Sequence, residues 1–289
     1  MAVYKQTYKP YRGAITGVRW RFAILTRYAF KSAFESRLLT SFYVLCFIPP
    51  VVAAGLMYVR YNAEAIAQLG LNGGDLIPIN GLFFNMLFRI QTAMAFMLVT
   101  FIGPGLVSPD LANNALSVYL SKPVSRREYV IGKLGVLLIL TSLITWIPGL
   151  ILFALQTDLA GWQWFWDNSR IAVAIFTGAW LWIVTISLLS LAASAWFKWK
   201  PLAAASMLGL FLVAAGFGAF ANEVLEPERQ WGLLLNMSTV IAMIFDWLFE
   251  GIRQRGNVPS WTALASLATL CFASVYLLHV KIRACEVVR

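Results

Sequence analysis

Six stretches of this chain run for about twenty residues with almost no charge, the length a helix needs to cross a bilayer. They are 39–59, 83–107, 136–155, 171–197, 202–221 and 261–280. In hydrocarbon the backbone must satisfy its own hydrogen bonds, which leaves helices or closed barrels. These runs do not alternate polar and apolar residues, as barrel strands do, so they read as helices. Composition agrees. Hydrophobic residues make up 60% of the 289 and charged residues 12%, with a mean hydropathy of +0.72. Soluble domains carry roughly 45–50% apolar and about 25% charged residues. The expected fold is an all-α integral membrane protein of six transmembrane helices.

The net charge of +10 has two readings. In a soluble chain it would suggest nucleic acid; in a membrane chain, basic residues mark cytoplasmic loops. With six spans, seventeen Lys and Arg residues fall on one side, in 1–37, 108–133, 198–200 and 281–289. Five fall on the other: Arg60, Arg170, Arg229, Arg253 and Arg255. That asymmetry puts both termini in the cytoplasm; the partner expected is lipid rather than nucleic acid, and the membrane expected is the plasma (inner) membrane. Residues 1–37 show no secretory signal pattern, so insertion is expected to use the first span. The three cysteines lack metal or disulfide-framework spacing, and the single histidine, His279, has no ligand-spaced companion.

Several local features refine the spans. Val18, Phe22, Leu25, Ala29 and Ala33 recur at helical spacing, with Arg21, Arg27, Lys31 and Glu35 opposite, which predicts an amphipathic helix in the headgroup plane. Pro49 and Pro50 should kink the first span. Residues 156–170, with Trp162, Trp164 and Trp166, read as a short interfacial loop. Ala214 and Gly218, four apart, allow a neighbouring helix to pack closely. The stretch 233–249 is apolar but holds Asp246, and a mid-bilayer aspartate costs about 2.5–3.5 kcal/mol on insertion scales. It is therefore expected within an external, re-entrant segment, 222–260. Arg89, near the outer end of the second span, and Asp246 have two readings. They pair and gate an exit, or each snorkels separately to the headgroups, the latter being the simpler.

The longest polar connection, 108–133, reads SPDLANNALSVYLSKPVSRREYVIGK. Ser108 suits a helix cap, with Pro109 in the first helical position and Asp110 near the positive dipole end. Pro123 ends that helix. Ser125 and Glu128 form an S-x-x-E capping box for the next one, ringed at its start by Arg126, Arg127 and Lys133. Ordered helices in such a loop either lie on the bilayer or dock to another protein.

The run Ser121, Lys122, Pro123, Val124, Ser125, Arg126, Arg127, Glu128, then Gly132 and Lys133, resembles the loop after the coupling helix in type-2 ABC exporter permeases. Residues 18–35 resemble the elbow helix of that family, and 222–260 its external re-entrant helices. At the start of the coupling helix the family often has an acidic–basic pair and a glycine, where this chain has Asn113, Asn114 and Ala115.

The resemblance implies an ATP-driven exporter with a separate ABC ATPase subunit and a second permease copy or a related permease. ATP and Mg would be bound by the ATPase, with no cofactor in this chain. It also implies ATPase-coupling residues among Asp110, Leu111, Asn114, Ser117, Pro123, Ser125, Arg126, Arg127 and Glu128. Independently, the chain has no G-x-x-x-x-G-K-[ST] phosphate loop: Gly132-Lys133 lacks the upstream glycine, since Arg127 stands there. A membrane enzyme needs clustered His, Asp, Glu or nucleophiles within its spans, which are scarce here. A secondary transporter or channel without an ATPase, or a non-transporting scaffold of the same architecture, are the alternatives.

Overall fold

The structure is a computed structural model, and it describes residues 21–62, 78–113, 125–225, 230–255 and 257–282. Its elements in chain order are helices α1 (Arg21–Ala33), α2 (Arg37–Leu45), α3 (Ile48–Tyr61), α4 (Gly81–Ile102), α5 (Pro104–Ala112), α6 (Arg126–Ile144), α7 (Trp146–Ala160), α8 (Trp162–Trp196) and α9 (Lys200–Phe220). A π-helical turn (Ala221–Leu225) and a 3-10 turn (Trp231–Leu234) follow, then α10 (Met237–Phe245), a second π turn (Asp246–Glu250), strands β1 (Gln254–Arg255) and β2 (Val258–Pro259), and α11 (Ser260–Lys281). Among the described residues six helical stretches are long and apolar enough to cross a membrane: Arg37–Tyr61, Gly81–Ala112, Arg126–Ala160, Trp162–Trp196, Lys200–Val224 and Ser260–Lys281. The chain is an all-α, multi-pass membrane protein.

Three spans are broken, and each break has a covalent cause. In span one the chain leaves helix at Cys46–Phe47 and restarts with Pro49 and Pro50 in the first turn of α3, where a missing N–H costs nothing. Span two breaks at Gly103, ahead of Pro104. Span three breaks at Thr145, whose φ and ψ are −111° and −92°. Pro148 has no N–H for the carbonyl of Ile144, four residues back. That orphaned oxygen accepts instead from Nε2 of Gln91 on span two, at 2.7 Å and fully buried.

Span four is one unbroken helix of 35 residues. At 1.5 Å per residue it is roughly 52 Å long, well beyond the ~30 Å hydrocarbon core. Its first turns contain Trp162, Trp164 and Trp166, so the expected loop over 156–170 is corrected. Only Gly161, at φ 95°, separates α7 from α8 there. A single glycine reverses the chain without any run of polar loop residues to betray it.

Span four is also the hub. Its hydroxyls stitch it to the break in span two: Ser194 Oγ accepts from the amides of Val107 (3.2 Å) and Ser108 (2.9 Å). Ser108 Oγ donates to the Ser194 carbonyl at 2.9 Å. Trp182 Nε1 donates to the Thr92 carbonyl at 3.0 Å. A Cβ on Gly103 would overlap Ser190 Oγ, so only glycine lets the two backbones come this close. Spans two, three and four bury 67, 61 and 56% of their most apolar windows, against 22, 17 and 22% for spans one, five and six. The first three therefore form the protein core, and the others leave side chains such as Leu212, Val213 and Phe272 for lipid or a partner.

Helix α1 packs Ala29 and Ala33 inward and leaves Arg27 and Lys31 exposed. It docks on span three, where Thr26 Oγ1 donates to the Gly132 carbonyl at 2.8 Å. Gly218 does admit a close neighbour, but the neighbour is the carbonyl of Gly232 in the 3-10 turn rather than another span. Helix α10 has nine residues, about 14 Å, too short to cross the bilayer.

Candidate functional site

Two polar clusters stand at opposite ends of span two. The first lies where α5 ends and α6 begins. Helix α5 starts at Pro104, so Ser108 is not its cap and Pro109 lies inside it. The spacing suggested a new helix at 108, but the chain had already resumed helix after the Gly103 break. That extra turn buries Ser108 against Ser194 and aims Asp110 at α6. Asp110 Oδ2 accepts from the hydroxyl of Tyr129 at 2.7 Å and pairs with Lys133 Nζ at 2.9 Å. Tyr129 and Lys133 are four apart on one face of α6, and the ammonium lies 5.6 Å from the tyrosine ring centroid. Tyr129 is fully buried and Lys133 is 8% exposed.

The capping box forms as its spacing predicts. Glu128 N donates to Ser125 Oγ (3.2 Å), and Ser125 N donates to Glu128 Oε2 (2.7 Å). Arg126 and Arg127 stand exposed on the first turn, while Leu111 packs against the core. Asn114, Ser117 and Pro123 lie outside the described residues. The structure thus joins Asp110 to the start of α6, a link that sequence reasoning missed. The i, i+4 pair Tyr129/Lys133 was its only trace.

The second cluster lies at the other end. Arg89 Nη2 pairs with Asp246 Oδ1, so separate snorkelling is corrected. Asn85, 2% exposed, holds the pair together. Its Nδ2 donates to Asp246 Oδ1 at 2.9 Å and to Glu250 Oε1, and its Oδ1 accepts from Arg89 Nε at 3.1 Å. Arg255 Nη1 stands 3.9 Å from Asp246 Oδ2. Arg170, near the start of span four, donates through Nε to the Leu248 carbonyl at 2.9 Å and through Nη2 to the Trp247 carbonyl. Gly251, at φ 78°, passes under that guanidinium. Span two and span four therefore strap the turn Asp246–Glu250 down from two sides.

Among the described residues no three of His, Cys, Asp and Glu stand together as a metal site requires. Lys133 sits inside a helix and is committed to Asp110, an arrangement unlike a phosphate-cradling loop. What both clusters do is tie span two to its neighbours. A family model described as ABC-2 family transporter protein matches residues 35–280. No curated protein matches the chain.

Proposed function

Since the chain belongs to the ABC-2 transporter family, and so is a permease component of an ABC transporter, we propose that it moves substrate outward when a separate ATPase subunit pushes on residues 108–133. In this reading two permeases pair with two ATPase subunits. The ATPase holds ATP and Mg; this chain holds neither. The loop and both termini face the cytoplasm of the plasma membrane, as the basic-residue asymmetry favours.

The observation that carries the proposal is the clamp of Asp110 to Tyr129 and Lys133. A push on a loop moves membrane helices only if the loop's two ends are fixed to each other and to those helices. Here the end of span two and the start of span three are joined by a buried ion pair. The exposed Arg126 and Arg127 project from the same turn, suited to carboxylates on a partner. Asp110 and Glu128 act within the chain, one in the clamp and one in the cap, while Leu111 seats α5. In the same reading the Arg89–Asp246 pair, at the opposite end of span two, acts as the outer gate; their ion pair supports this.

Reversing both arginines, Arg126→Glu with Arg127→Glu, tests the docking role. Co-purification with the ATPase and transport-linked ATP turnover are both expected to fall at least tenfold, as for paired interface charges worth about 1.4 kcal/mol or more. Unchanged binding and turnover in a normally folded variant would refute it.

A further inference from the structure

Between α1, α2, the end of α4, α5, α6 and α9 lies a half-open cavity of about 520 Å³. Its walls differ in kind. Leu39, Ile102 and Leu106 supply apolar lining; Ser36, Lys133 and Lys200 supply polar lining. It sits where spans one, three and five start and span two ends, and the ends of bilayer-crossing helices lie near the headgroups. The carboxylate of Asp110, also in the lining, is already engaged by Tyr129 and Lys133. Lys200 is exposed and has no carboxylate within ion-pair distance among the described residues. The cavity therefore carries a surplus positive charge at its polar side and an apolar wall leading into the bilayer.

We propose that this cavity binds one anionic phospholipid of the adjoining leaflet, its phosphate against Lys200 and the hydroxyl of Ser36, and an acyl chain along Leu39, Ile102 and Leu106. A soluble anion would leave that wall bare, and a zwitterionic lipid would bring its own cation to a cavity that already carries surplus positive charge. The lipid fills the gap between α1 and the clamped α5–α6 junction. It stiffens the joint between the N-terminal helix and span three. The inference needs only the membrane-spanning fold, and it stands whether or not an ATPase docks at 108–133.

Native mass spectrometry of the purified permease, titrated with phosphatidylglycerol and phosphatidylcholine, reads the site directly. Phosphatidylglycerol is expected to bind with a preference that Lys200→Ala lowers about fivefold, the effect of one basic residue at a membrane surface. Lys198→Ala, an exposed lysine outside the cavity lining, is expected to change nothing. Phe101→Ala, which shortens an exposed part of the wall, is expected to weaken both lipids. Equal loss in Lys198→Ala and Lys200→Ala would mean diffuse attraction and would overturn the site. So would equal retention of the two lipids, or displacement of phosphatidylglycerol by inorganic phosphate alone.

Discussion

Span two meets its neighbours through an ion pair at each end, and the two pairs are made differently. At the inner end Asp110 reaches Lys133 on another membrane-crossing helix, with side chains 15% and 10% exposed. At the outer end Arg89, 43% exposed, reaches Asp246 on a short turn that lies on top of the bundle. The glycines repeat the contrast. Gly103 lets span two touch the side chain of Ser190 on the long fourth span, whereas Gly81 faces the backbone carbonyl of Phe249, 2.6 Å from where a Cβ would stand. The Asp110 end is thus joined helix to helix by side chains that are little exposed. The other end is fastened through a half-exposed arginine to a short turn between α10 and β1. Under the drive proposed above, force would enter through the less exposed of the two joints and leave through the more exposed one.

The largest effect is expected from breaking the inner joint. Asp110→Ala strands a buried ammonium and a buried phenol, which costs about 3–5 kcal/mol when one partner of a buried pair is removed. Thermal unfolding in detergent reads this. The double variant Asp110→Leu with Lys133→Met should recover most of the loss, and a double variant as unstable as the single one would show that packing rather than charge makes the joint.

Next comes the glycine pair. Gly103→Ala forces spans two and four apart and should cost about 1–3 kcal/mol, the range for overpacking a core. Gly81→Ala should instead displace the 246–250 turn, speeding amide hydrogen exchange across 237–250 with little change in the unfolding midpoint. Equal losses of global stability would erase the distinction between the two ends.

The smallest effect belongs to the outer pair. Arg89→Gln removes a partly exposed charge interaction and should cost about 1 kcal/mol or less. The swap Arg89→Asp with Asp246→Arg should restore what either single change loses; absence of rescue would remove pairing as the fastening.

How far these features could be read in advance follows their range along the chain. The apolar runs, the proline breaks of span one and the Ser125–Glu128 capping box depend on residues within a turn or a bilayer thickness of one another, and all were legible. The Arg89–Asp246 pair was one of two open readings, and the sequence could not choose it, because 157 residues separate its members and Asn85, buried between them, holds it in place. Ser108 misled for a subtler reason. It has cap chemistry in a good context, but Pro104 had restarted the helix one turn earlier, turning a cap into a buried stitch. The supposed loop at 156–170 failed because its tryptophans suit a helix lying in the interface as well as a loop.

The unmatched carbonyl at Ile144 has a mechanical meaning. Span three is two rods hinged at residue 145, with Gln91 acting as the hinge pin. The inner rod has 19 residues, about 28 Å, and carries Arg126 and Arg127 at its foot. A swing of about 10° around that pin sweeps the foot through about 5 Å, by the same helix length, while the outer rod stays still. A push on that foot would then be spent in bending at residue 145, whereas the fourth span, one helix of 35 residues, has no such knee.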